Sequence, residues 1–152
     1  MKRIPAVVVV AALAALAVPA TAGARVRTLR LTYSNFFFQI VDNPPLQSSP
    51  TQPPSPGDVA LIRARYPATG RPVAFERTQC TVVDWPHAVC SINISLRGGH
   101  VVATDQLDAV SHRPQSVAIT GGTGLYRSAR GQIVYRATSE TTGSAVFTII
   151  TP

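Results

Sequence analysis

The sequence predicts an all-β chain: a closed eight-stranded antiparallel barrel that follows an amino-terminal export signal. Three observations carry this. Beyond residue 24, Val, Ile, Thr, Tyr and Phe recur in eight short, partly alternating runs. Turn residues punctuate those runs at regular intervals. Apart from a short segment after Gly124, nothing from residue 25 onward has helical periodicity. Eight strands on mostly short connections suit a barrel whose interior can hold one small ligand, with a sandwich as the second arrangement.

The elements follow in order. Lys2 and Arg3 form a positive head, residues 6–18 are an unbroken run of Ala, Val and Leu, and Ala20, Ala22 and Ala24 supply small residues for cleavage. Residues 1–24 therefore read as a signal peptide, cleaved after Ala22 or Ala24. The run is too short to stay in a bilayer, which takes about 20 residues. The expectation is a secreted product, extracellular or periplasmic, with no membrane attachment once the signal is removed. Residues 25–152 then form a single barrel domain.

Predicted strands are 27–41, 59–66, 73–83, 88–97, 100–107, 115–120, 132–139 and 144–151. The fourth alternates cleanly, Ala88, Cys90, Ile92, Ile94 and Leu96 against Val89, Ser91, Asn93, Ser95 and Arg97. Gly98-Gly99 between two such runs signals a two-residue hairpin. Residues 43–56 interrupt the rhythm with six prolines in fourteen residues. Proline is barred from strand interiors, so this is a solvated loop, and its length suits a lid over a barrel mouth.

Cys80 and Cys90 are the only cysteines, and the turn at 84–86 lies midway between them. A hairpin centred on Trp85 sets them opposite each other, and export makes a disulfide the default. Without Lys2 and Arg3 the chain keeps 12 arginines against 7 acidic residues. The arginines are scattered, which disfavours nucleic acid and fits mild attraction to anionic polymers.

Residues 118–133, Ala-Ile-Thr-Gly-Gly-Thr-Gly-Leu-Tyr-Arg-Ser-Ala-Arg-Gly-Gln-Ile, are the most specific stretch. A phosphate loop would need Gly-Lys-Ser/Thr, and a dinucleotide fingerprint would need a third glycine where Arg127 stands. Instead Gly-Gly-Thr-Gly, a hydrophobic-aromatic pair and Ala-Arg-Gly before a strand resemble the signature of dirigent proteins and allene oxide cyclase-like barrels. Asp42-Asn43-Pro44-Pro45, Pro56-Gly57-Asp58-Val59, the Cys80–Cys90 hairpin and the run from Leu96 to Val101 resemble further landmarks of those barrels, in the same order. The resemblance implies an eight-stranded barrel, often oligomeric, with a largely apolar cavity for hydrophobic or phenolic molecules and no metal or organic cofactor.

Arg130 matches the cavity-facing arginine of the family motif. The glutamate that allene oxide cyclases carry late in the first strand corresponds to Gln39, so Asp42 is the nearest carboxylate. Asp42 and Arg130 are the catalytic candidates, and Tyr33, Phe37, Gln39, Tyr126 and Arg130 the ligand-binding candidates. His87, His100 and His112 have no metal-ligand spacing, and no nucleophile elbow is present. Function is then expected to be a dirigent-like barrel that binds a small hydrophobic or phenolic ligand and orients it for coupling or cyclisation. A cofactor-free cyclase or isomerase is the alternative, and a structural or surface-interaction barrel with a filled interior the third class.

Overall fold

The computed structural model describes residues 23–44, 52–68, 71–139 and 141–152. The signal segment and the centre of the Pro-rich loop lie outside them. Eight strands run in chain order around the barrel: β1 (Arg25–Val41), β2 (Val59–Ala68), β3 (Arg71–Asp84), β4 (His87–Leu96), β5 (Gly99–Asp108), β6 (Gln115–Gly122), β7 (Arg130–Ala137) and β8 (Gly143–Thr151). Every neighbour pair is antiparallel, and β1 closes the barrel by pairing with β8. Full closure leaves no exposed sheet edge over the paired length. Among the described residues no helix is long and apolar enough to cross a membrane.

Alternation sorts the side chains. On β4, Ala88, Cys90, Ile92 and Ile94 are buried while Val89, Ser91 and Asn93 are exposed, as period-two geometry requires. Cys80 and Cys90 face each other across β3 and β4 and form a disulfide. β1 departs from simple alternation. Its register with β2 shifts between Ser34 and Phe37, and a bulge of this kind moves the following side chains to the opposite face.

Below the level of Tyr66 the interior is solid. Phe147, Ile94, Val101, Ile119, Ile133 and Ile149 are all essentially inaccessible, and Tyr66 meets Phe147 edge-to-face with centroids 6.1 Å apart. The glycine-rich stretch closes this end. Thr123 N–H donates to the His100 carbonyl and Leu125 N–H to the Gly98 carbonyl, each at 2.9 Å. A Cβ on Gly124 would collide with the Gly98 carbonyl oxygen, so the loop and the β4–β5 hairpin meet backbone to backbone.

At the other end, Asp58 ties the two stems of the Pro-rich loop together. Its carboxylate accepts from Asn43 N–H at 2.8 Å and from Ser55 N–H at 2.7 Å. The hydrogen bond from the Asn43 backbone, with those from Ser55 and Asp42, outweighs burial and holds the Asp58 carboxyl below the usual range.

Candidate functional site: a carboxylate at the floor of the barrel cavity

Above the packed half the barrel is hollow. A cavity of about 340 Å³ opens there, walled by Ala60, Ile62, Ala64, Cys80, Cys90 and Ile92, with Phe38, Trp85, Leu107, Asp108, Arg113 and Gln115 around its upper part. Small residues on β2 create the space: three alanines stand on inward positions of β2 and β4 where bulkier side chains would fill it.

The polar floor comes from three strands. Glu76 lies directly across from Ala64 in the β2–β3 ladder and is only 7% exposed. Tyr66 donates its hydroxyl to Glu76 Oε2, Tyr135 donates to the same oxygen at 3.0 Å, and Thr78 donates to Oε1 at 2.9 Å. Tyr33 packs edge-on to Tyr66, with centroids 6.0 Å apart, and its hydroxyl occupies the space that a side chain on Gly143 would need. The only ion pair within 4.0 Å among the described residues is His87 with Asp84, at the surface. Glu76 is therefore stabilised by hydroxyl donors instead of a cation, which satisfies most of its acceptor capacity.

Burial, and then the charge of Glu76, push the phenols of Tyr33, Tyr66 and Tyr135 above the ordinary tyrosine range. A pKa raised on folding contributes stability that is complete below the unfolded value, about 10, and is lost as pH rises through the folded one. Absorbance of phenolate during alkaline titration should thus show Tyr66 and Tyr135 still protonated well above pH 10 and ionising with loss of the fold, while Tyr33 ionises later than an exposed phenol. Ordinary ionisation of three or more tyrosines near pH 10 in the folded protein would contradict the buried arrangement.

Of the candidates from sequence, Tyr33 lines the cavity. The others do not line it. Beyond the β1 bulge, Phe38 and Ile40 face the cavity while Phe37 and Gln39 face out; Phe37 carries the Arg63 guanidinium 5.6 Å from its ring centre. Arg130 is exposed and donates from Nη1 to the Thr120 carbonyl at 2.7 Å and the Ala129 carbonyl at 2.8 Å, clasping the glycine-rich loop. Tyr126 is buried at the opposite end, where it accepts from Arg27 and donates to the Arg97 carbonyl at 3.4 Å. Asp42 sits beside Asp58 at the loop stem, not on the cavity wall. Glu76, Tyr66 and Tyr135 were not singled out from sequence. The signal was present, since Glu76 shares strand parity with Cys80, whose partner Cys90 lies on the same face of β4 as Ile92 and Ile94. Among the described residues no group of three His, Cys, Asp or Glu side chains converges to hold a metal.

No family model and no curated protein matches the chain. Solved structures do. The pterocarpan synthase dirigent protein GePTS1 superposes with a TM-score of 0.63 at 16% identity, covering 84% of this chain and 89% of its own. The fold is the dirigent-like barrel. A pyocyanin demethylase matches with a TM-score of 0.61 at 20% identity, over 84% of this chain and 100% of that one. The Diels-Alderase AbmU from Streptomyces koyangensis reaches 0.57 at 14% identity, over 86% of this chain and 69% of that one. At such identities the dirigent-like likeness is one of architecture.

Proposed function

We propose that this dirigent-like barrel binds a small, largely apolar ligand in its upper cavity and orients it through a hydrogen bond donated by the ligand to Glu76. The observation that carries this is a buried carboxylate, held by three hydroxyls, at the floor of a cavity whose lower walls are apolar and whose polar residues Asp108, Arg113 and Gln115 stand around its upper part. Tyr66 and Tyr135 occupy Oε2, while among the described residues Oε1 accepts from Thr78 alone, which leaves it room for a second donor. A phenolic O–H or an N–H suits that position, and a second acceptor does not. The alkyl and aromatic walls then set the ligand's rotation about that bond, which is what stereoselective coupling or cyclisation needs from its container. A pterocarpan synthase and Diels-Alderases on similar barrels are in keeping with an orienting role.

The same carboxylate favours a second reading, cofactor-free cyclisation or isomerisation. Glu76 would take a proton from an acidic C–H or O–H of the ligand, a neighbouring phenol would hydrogen-bond the oxyanion that forms, and Glu76 would return the proton to a different atom of the product. Export through the amino-terminal signal, an oxidising compartment for Cys80–Cys90 and assembly into a homo-oligomer belong to the same proposal.

Paired probes test the binding mode. 1-Naphthol should bind about tenfold or more tightly than its methyl ether, the size expected of a hydrogen bond to a carboxylate. Glu76→Gln should remove that preference while retaining binding of the ether. Equal affinities for the two probes in the unaltered protein would overturn the assignment.

A further inference from the structure

A second depression lies at the opposite end of the barrel, outside the site above. β1 pairs with β8 over Arg25–Tyr33 but meets β2 only from Ser34 onward. The β2–β3 register slips between Tyr66 and Pro67, and Pro67 has no N–H to offer a neighbouring strand. Among the described residues, no strand pairs with the edge of β1 that faces away from β8 over Arg25–Thr32. A groove of about 640 Å³ occupies this seam, within the range of small-molecule pockets, about 300–1,000 Å³.

Its chemistry is divided. Leu29, Leu31 and Leu96 form an apolar floor that packs against the core, and Leu125 stands at the lip, 68% exposed. Three arginines, Arg27, Arg30 and Arg97, line the same groove, and among the described residues no Asp or Glu does. The hydrogen bond from Arg27 to the Tyr126 hydroxyl holds that arginine toward the seam. Apolar surface is costly to leave in water, and set beside cations it complements one kind of molecule.

We propose that this groove binds a single-chain amphipathic anion, an alkyl carboxylate or sulfate whose tail lies on the leucines and whose head pairs with the arginines. Titration of the purified protein with dodecanoate should give binding about tenfold tighter than with 1-dodecanol, and raising salt should narrow the gap. The double variant Arg30→Gln/Arg97→Gln should lose the preference for the anion and keep the dodecanol affinity. Amide NMR of the unaltered protein gives an independent location, with dodecanoate shifting Leu29–Thr32, Arg97 and Leu125 and leaving Glu76 and Thr78 in place. Three results would overturn the proposal: equal affinity for the acid and the alcohol, shifts centred on Glu76 and Thr78, or attachment to phosphatidylglycerol vesicles with no binding of free dodecanoate. None of these depends on whether the upper cavity binds 1-naphthol.

Discussion

Replacing Tyr66 and Tyr135 together by phenylalanine should destabilise the protein by about 3–6 kcal/mol, although neither change alters volume much. The two hydroxyls supply both hydrogen bonds to Glu76 Oε2. Stripping them leaves a carboxylate in a site with no cation among the described residues within 4.0 Å, at a cost of about 1–3 kcal/mol for each lost donor and more where the acceptor is charged. The distinguishing variant is the triple replacement Tyr66→Phe/Tyr135→Phe/Glu76→Leu. If the loss comes from an uncompensated buried charge, removing that charge restores most of the stability, because apolar replacement of a whole buried polar group is often neutral. Denaturant unfolding of the three proteins decides it. A triple variant as unstable as the double one would mean that the tyrosines act through packing, and the view of Glu76 as a desolvated carboxylate would fall. The outcome also bears on function: a charge kept at this cost has a use that stability does not supply.

The second large effect belongs to the glycine-rich region. Gly131→Ala should cost about 2–4 kcal/mol, whereas Gly121→Ala, ten residues earlier, should change stability by less than about 0.5 kcal/mol. Gly131 has φ of +128°, and a Cβ there would collide with the Thr148 carbonyl oxygen of the adjoining strand. Both the backbone conformation and the space are reserved for glycine. Gly121 has open space around its would-be Cβ and no positive φ. Thermal melts of the two variants would separate them. A Gly131→Ala protein as stable as its parent would show that β7 and β8 can part locally at no cost, and that the close approach of these strands is not what holds the loop. The contrast matters because the motif resembles a family signature. Here its most constrained glycines, Gly124 and Gly131, serve loop closure, and Arg130 between them bonds backbone carbonyls.

Much of the barrel was legible in the residues alone. The number of strands, their approximate limits, the Gly98-Gly99 hairpin and the Cys80–Cys90 pairing all follow from local signals: period-two alternation, turn chemistry and equal spacing about Trp85. Those interactions span a dozen residues or fewer, so the sequence carries them directly. The glycine-rich stretch was legible as a constraint on the backbone, although the partner imposing it, the carbonyl of Gly98 or of Thr148, is distant in sequence.

What only the tertiary structure decided is the site. Uninterrupted alternation along β1 places Tyr33, Phe37 and Gln39 on one face, and the bulge between Ser34 and Phe37 breaks that phase, sending Phe38 and Ile40 inward instead. A single extra residue in a strand leaves no compositional mark, because its energy is set by the curvature of the closed sheet and not by the side chains at the bulge. Glu76, Tyr66 and Tyr135 come from β3, β2 and β7, and Tyr135 lies 59 residues from Glu76. They meet because closure of the barrel brings β7 across from β3. Each is an ordinary strand residue by itself, and the chemistry exists only once the three share a desolvated interior.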